Sequence, residues 1–293
     1  MKNRKRPEGT KARVQASKKR LAYIGTAITV AVLVTLIALS GFFIYFHLDS
    51  TPSQPVNLDQ TSNQPSQLKA AIVDHLSLTV PNQTFIQTAT TILKEAGYTV
   101  DYYPGEEVTV EFYRNLPTHG YSLIVLRVHS AITVGYRSLG LFSSEVRSTT
   151  KYIYEQLTDQ LVGAKFPNDE TEYFGISPLF VLNSMQGTFQ NTTIIHMGCD
   201  GLAHTTMAEA FRQKGAKAYI SWDGDILASH TDQATTHLLQ HLIAEKQTIR
   251  QAVAETRDEV GRDPAYKSLL VYYPLEAGNQ TIEETTGNPT TNP

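Results

Sequence analysis

The sequence predicts an α/β fold, in which a mostly parallel sheet is flanked by helices and preceded by one transmembrane helix. Apolar runs of strand length alternate with segments of helical periodicity between residues 69 and 275, as in sheets whose parallel strands are joined by helices. The links between these segments are short, which favours packing of consecutive elements. Residues 21–46 carry no charged side chain, and a helix of that length, roughly 39 Å, exceeds the ~30 Å hydrocarbon core of a membrane.

The N-terminus predicts the orientation of this helix. Residues 1–20 hold nine Lys and Arg against one acidic residue, Glu8, and basic flanks stay cytoplasmic. We therefore expect a single-pass protein of the cell membrane, with its N-terminus in the cytoplasm and its main domain outside. A cleaved signal peptide is the alternative, but its apolar region is usually only about 7–15 residues long. No aromatic residues interleave with the basic ones, so we expect no nucleic-acid partner.

Two polar stretches bound the predicted globular domain. Residues 47–68 are rich in Pro, Ser, Gln and Asn, a composition typical of a flexible linker that cannot form a core. Residues 276–293 have the same character and are predicted to form a disordered tail. The α/β domain is therefore expected over residues 69–275.

Periodicity assigns the first half of the domain. Residues 82–96 are apolar at helical spacing and are followed by Gly97, a helix-stop signal. Residues 122–128 are almost continuously apolar, which is typical of a central parallel strand. The strands predicted here are 70–76, 98–103 and 122–128, and the helices are 82–96, 109–116 and 177–185 with Pro178 in its first turn.

The second half is assigned in the same way. In the segment between residues 130 and 175, LFSSEV and TEYFGI are expected to form a hairpin, with KYIYEQLTDQLV between them as helix or extended chain. Ser229 is predicted to cap the helix that starts at residue 230. The remaining strands are 192–197, 217–222 and 269–273, and the remaining helices are 204–214, 230–245 and 248–260.

Two predicted strands end in reactive residues. His129 follows the strand 122–128, and Cys199, the only cysteine, follows the strand 192–197 after Gly198. The carboxyl ends of parallel strands meet at one edge of a sheet, and neighbouring strands lie about 5 Å apart. An imidazole beside a thiol makes a nucleophile, and the backbone N–H groups of Ser130 and Gly198 are candidates for holding an oxyanion.

These residues resemble a known family. An apolar strand ending in His, followed by an apolar strand ending in Gly-Cys-x-Gly, is similar to the caspase-like cysteine peptidases of clan CD, and more closely to the gingipain and CHAT-domain branch. The segments after Cys199 are also similar to that branch: they are the helix 207–215, the strand 216–222, the Asp-x-x-x-Thr helix start at 232–236 and the helix pair 238–260.

The resemblance covers residues 69–274 and implies a caspase-hemoglobinase fold. It also implies a cysteine endopeptidase with His129 as general base, Cys199 as nucleophile, and a peptide or protein as substrate. The family usually has Gly directly after the histidine, where this chain has Ser130. The histidine and the cysteine are also further apart here, 199 − 129 = 70 positions, than the about 50 of caspases.

Other residues near the predicted site leave alternatives open. Acidic and aromatic residues that follow strand ends are candidates for substrate binding, with the acidic ones suited to a basic side chain: Asp200, Trp222, Asp223 and Asp225. His196, Asp200 and His204 are of metal-ligating types but need not converge, and the pair His237 and His241 has no acid between its members, so it is a weak metal signal. We therefore expect no metal and no cofactor. The alternative function is a catalytically inactive caspase-like domain that binds a peptide or protein, or acts as a sensor.

Overall fold

The computed structural model describes residues 68–132, 138–166 and 169–282. Within these ranges no helix is long and apolar enough to cross a membrane. The predicted span at residues 21–46 lies outside them, as do the basic N-terminus, nearly all of the predicted linker and the last residues of the tail. The described ranges therefore concern the α/β domain alone.

The described strands form two sheets. In chain order the strands are β1 Lys69–Asp74, β2 Thr99–Pro104, β3 Leu123–Arg127, β4 Ser130–Ile132, β5 Leu139–Val146, β6 Leu161–Lys165, β7 Glu172–Ile176, β8 Thr193–His196, β9 Ala218–Trp222 and β10 Leu270–Tyr273. Sheet A has six strands in the order β10-β9-β8-β3-β1-β2, and sheet B has four in the order β4-β5-β7-β6. All pairs in sheet A are parallel except β10 with β9, so the predicted α/β class with a mostly parallel sheet is confirmed.

Helices cover both faces of sheet A. The described helices are α1 Gln83–Glu95, α2 Val110–Asn115, α3 Ile153–Leu157, α4 Pro178–Asn183, α5 Thr206–Gln213, α6 Ala228–Leu239 and α7 Ile249–Val260. Of these, α3 has no buried residue and contacts β6 of sheet B instead. Alternate residues of β3 face opposite sides, because side chains along a strand alternate. Leu123 and Val125 join the core beneath α1, α6 and α7, whereas Ile124 and Leu126 join the core shared with α2, α4, α5 and sheet B.

Sheet B is formed by strands from the segment between residues 130 and 176. β5 pairs with β7 antiparallel, as predicted for LFSSEV and TEYFGI, and β6 continues the sheet beside β7. The stretch between them divides into the short helix α3 and the start of β6. The segment between residues 130 and 176 therefore forms an antiparallel layer that follows β3 directly in the chain.

The start of α6 and the C-terminal end of the packed domain differ from the prediction. Ser229 does not cap α6, because Leu227 occupies the N-cap position. The N–H of Leu227 donates to the Asp263 carboxylate at 3.0 Å. The helix therefore begins before the serine that was predicted to cap it. α6 also continues as a π-helical turn, Gln240–Ala244. At the C-terminal end, a 3₁₀ turn over Leu275–Asn279 follows β10 and Ile282 is 1% exposed, so packing extends beyond the predicted boundary at residue 275.

Candidate functional site

The strands that precede His129 and Cys199 are direct neighbours. β3 and β8 are parallel, with Leu126 opposite His196 at their carboxyl ends. The segments that follow are in contact, since the Ser130 hydroxyl donates to the backbone carbonyl of Cys199 at 2.6 Å. The two predicted reactive residues therefore emerge at one edge of sheet A, and no third strand separates them.

The imidazole of His129 lies in a pocket of aromatic rings. Its Nε2 pairs with the Thr79 hydroxyl at 2.7 Å. The ring centroid is 4.8 Å from that of Phe166, 6.0 Å from that of Phe142 and 5.8 Å from that of His75. Burial, together with the nearby Arg127 charge, lowers the pKa of His129 to about 4, so the ring is neutral at pH 7.

Cys199 is half-buried and its thiol is not ionised at neutral pH. The Sγ atom lies 3.8 Å from the carbonyl oxygen of Ile226. Burial raises the pKa of the thiol to about 11, and the carboxylates of Asp225 and Asp200 add to the shift. His129 bonds to Thr79, whereas the Cys199 thiol contacts Ile226 and Asp225. The two side chains therefore lie at one edge of the sheet without a hydrogen bond to each other.

The turn that carries Cys199 packs on a buried histidine. His196 is 0% exposed; its Nδ1 is 3.0 Å from the Ser221 hydroxyl, which itself donates to the carbonyl of His196 at 2.8 Å. Because that hydroxyl proton is used, Nδ1 must carry the ring proton. A Cβ on Gly198 would lie 2.6 Å from Nε2 of this ring, and one on Gly201 would collide with Ser221. These glycines thus allow the turn to sit on His196.

The backbone N–H of Ser130 lies on the side of β4 that does not bond to β5. The Phe142 N–H donates to the carbonyl of His129 at 2.9 Å, which makes Ser130 and Leu141 a non-hydrogen-bonded pair of the β4–β5 ladder. The N–H of Ser130 is therefore directed away from β5. This orientation is compatible with the predicted oxyanion role.

The predicted substrate-binding residues divide into two groups. Asp200 and Asp225 lie close enough to Cys199 to act on its pKa. Asp223 is exposed, but its carboxylate accepts the Leu269 N–H at 2.6 Å and so ties β9 to β10. Trp222 is 1% exposed and its Nε1 donates to Thr231 at 2.9 Å. A side chain without exposed surface cannot line a crevice, so Trp222 is corrected to a core residue.

Sequence reasoning missed a buried ion network at the same edge. Arg127 is 0% exposed. Its guanidinium donates to Asp74 at 2.7 Å, to Asp232 at 2.7 and 2.8 Å, and to the carbonyl of Val80 at 2.8 Å. The available signal was a lone arginine in an otherwise apolar strand, because a buried charge needs partners.

This network also orders the segment next to His129. Val80, whose carbonyl Arg127 binds, follows Thr79, whose hydroxyl pairs with His129. Asp232 also accepts from the Asn82 side chain at 2.9 Å. Arg127 therefore connects β1 and α6 to Val80, the residue next to the Thr79 that pairs with the imidazole.

No protein-family model matches the chain, and a search of curated proteins finds no match. The resemblance to caspase-like peptidases rests on the residues described above and stays a prediction.

Proposed function

We propose that this chain is a membrane-anchored, extracytoplasmic cysteine endopeptidase that uses Cys199 as nucleophile and His129 as general base. The observation that carries the proposal is the contact between the segments following β3 and β8, seen in the 2.6 Å bond from Ser130 to Cys199. An α/β sheet binds its ligands at the carboxyl ends of its strands. The caspase-like fold belongs to the same proposal.

The proposed reaction starts from a neutral pair. With a thiol pKa of about 11, on the order of one molecule in 10⁴ carries a thiolate at pH 7. His129 therefore accepts the thiol proton as Sγ attacks the scissile carbonyl, and passes it to the leaving amine. Water then hydrolyses the thioester. The N–H groups of Ser130 and Gly198 are the proposed donors to the oxyanion.

The second candidate is a catalytically inactive domain that binds a peptide or protein, or senses one, at the same edge. The raised pKa of Cys199 and its contact with Ile226 favour it, because a reactive thiol normally sits in a surrounding that lowers its pKa. Aromatic rings around His129, such as Phe166, offer a surface for an apolar side chain in either case.

Peptide-based electrophiles separate the two functions. In a peptidase, a peptidyl chloromethyl ketone that mimics substrate alkylates Cys199, with loss of chloride, at least 100-fold faster than iodoacetamide does, and His129→Ala removes this difference. His119→Ala, an exposed histidine, is the matched control and leaves labelling unchanged. Equal and slow rates with both reagents, together with no peptide cleavage, would reject the peptidase and leave the binding module.

The proposed membrane topology has its own test. In a Cys199→Ala background, single cysteines are introduced by Ser17→Cys in the basic N-terminus and Ser53→Cys in the linker. A membrane-impermeant thiol reagent added to intact cells should label the chain at position 53 alone, because residues 21–46 are proposed to separate the two positions. Labelling at position 17 would overturn the orientation.

A further inference from the structure

A second group of chemistry-bearing side chains lies between α6 and α7, away from the Cys199 turn. It comprises His237 on α6, His241 and Glu245 at the π-helical turn, and Glu255 and Glu259 on α7. Glu245 follows His241 by four residues, one helical turn along the sequence. The fold adds Glu255 and Glu259 from α7.

The buried imidazole of His241 faces carboxylates on both sides. Its side chain is 7% exposed. Nδ1 is 2.9 Å from Glu245 and 3.6 Å from Glu255, and Nε2 is 3.1 Å from Glu259. A neutral imidazole has one N–H and one lone pair, and a lone pair cannot face a carboxylate favourably. Either a second proton or a metal ion must therefore occupy one side of the ring.

Glu259 provides the support that metal-binding histidines usually have. Such histidines donate their other ring N–H to a carboxylate, which fixes the tautomer and orients the ring. Nε2 of His241 meets Glu259 in this way, and the same carboxylate oxygen lies 2.7 Å from Nδ1 of His237. The lone pair of Nδ1 is then directed at Glu245 and Glu255.

The spacing of the donor atoms suits a small cation. Nδ1 of His241 and one oxygen each of Glu245 and Glu255 all lie within 4.8 Å of one another. Ligands at about 2.0–2.1 Å from a tetrahedral zinc are roughly 3.3 Å apart, between the 2.9 and 3.6 Å measured from Nδ1. The three glutamates are each roughly half-exposed, so an ion can enter from solvent.

Gln247 offers a fourth ligand. Its Nε2 lies 3.1 Å from Glu245 and 2.7 Å from Glu255, whereas its Oε1 is buried without a hydrogen-bond partner. Rotating the side-chain amide of Gln247 by 180° would direct Oε1 at the ion. This oxygen, which has no hydrogen-bond partner now, would then gain one. An imidazole with carboxylate and amide oxygens is a donor set that suits Zn²⁺ and its neighbours better than Ca²⁺ or Mg²⁺.

We propose that His241, Glu245 and Glu255 bind one divalent transition-metal ion, best matched by Zn²⁺, with Glu259 and His237 as the outer support. The ion joins the end of α6 to α7 and is independent of any chemistry at Cys199. The site is therefore structural, and peptide cleavage does not depend on it directly.

Zinc binding by the full-length, chelator-stripped chain tests the proposal. Competition with a chromophoric chelator should give one Zn²⁺ per chain, and His241→Gln or Glu255→Gln should weaken the affinity at least 100-fold. Glu259→Gln, which removes only the outer support, should weaken it 10- to 100-fold. The matched controls are Glu111→Gln and His119→Gln on the described surface, and both keep the affinity.

Two further measurements keep the outcome decisive. Far-ultraviolet circular dichroism of each metal-free variant shows whether it folds, so a lost site is not confused with a lost fold. The visible spectrum of the Co²⁺ form should lack thiolate charge transfer and be unchanged by Cys199→Ala. No Zn²⁺ bound at 100-fold molar excess over protein, equal affinity for Ca²⁺, or an unchanged affinity in His241→Gln would each overturn the proposal.

Discussion

In two regions of this domain, carboxylates surround a basic side chain, Arg127 in one and His241 in the other. The two regions differ in whether that side chain is always positively charged. At the carboxyl edge of sheet A, the guanidinium of Arg127 is 0% exposed and is held by Asp74 and Asp232. Between α6 and α7, the imidazole of His241 is held by half-exposed glutamates. Arginine is effectively always charged, whereas an imidazole exchanges its proton or its metal.

The same contrast appears in the pKa values of histidines. At the sheet edge, burial lowers the pKa of His75 and of His129 to about 4, and that of His196 to about 3. Burial also acts against the charge on His241, but the hydrogen bonds to Glu245 and Glu259 raise its pKa overall. The edge region thus keeps its histidines neutral, and the helix region favours a cation.

Removal of the permanent cation should have the largest effect. Arg127→Met leaves Asp74 and Asp232 buried without their partner, which should cost about 3–5 kcal/mol of unfolding free energy. Arg147→Met is the matched control, because its pair with Glu172 is largely exposed and is worth less than about 1 kcal/mol. Urea unfolding measures the free energy of unfolding of both variants. Similar losses in the two would contradict a stabilising role for the buried ion network of Arg127.

Acid should destabilise the edge region. The unfolded chain binds protons at His75, His129 and His196 near pH 6.5, whereas the folded chain binds them only near their lowered pKa values of about 4, 4 and 3. Stability is therefore fully present above pH 6.5 and falls as the pH drops, by up to about 1.4 kcal/mol per pH unit for each proton. Unfolding with chelator present at pH 7, 6 and 5 measures the slope, and His196→Gln should reduce it.

The Cys199 turn should tolerate no side chain at Gly198. A Cβ there would collide with Ser130 and the carbonyl of Val128, so Gly198→Ala should cost about 1–3 kcal/mol. Gly224→Ala is the control, since the nearest atom to its Cβ would be Ser268 at 3.4 Å, an ordinary contact. Thermal unfolding of both variants measures the difference, and a Gly198→Ala protein as stable as the control would contradict the close packing of this turn on His196.

The smallest effect is expected at the start of α7. Thr248 forms a capping box with Gln251, so Thr248→Ala should cost about 1 kcal/mol. Ser229→Ala is the comparison: that residue lies inside α6 and its side chain makes no cap, so its removal should change stability by less than about 0.5 kcal/mol. A larger loss at Ser229 would contradict the helix start at Ala228.

Local patterns explain which predictions succeeded. The continuous apolar run before His129 and the run before Cys199 predicted two central strands, and β3 and β8 are neighbours. Helix α1 ends where Gly97, with φ of 86°, follows it. The cap of α6 was mispredicted because the N–H of its N-cap residue, Leu227, is bound by Asp263, which lies 263 − 227 = 36 positions further along the chain. Sequence motifs cannot report such a distant partner.

The sequence by itself determined the α/β class and the positions of His129 and Cys199 after two apolar strands, because hydrophobic period and residue order are local properties of the chain. The tertiary structure alone decided that β3 and β8 are neighbours, that Trp222 is core, that Arg127 has two carboxylate partners and that Glu255 and Glu259 join Glu245 around His241. Hydrogen-bond partners, burial and pKa values depend on residues that meet only after folding, so spacing along the chain does not encode them.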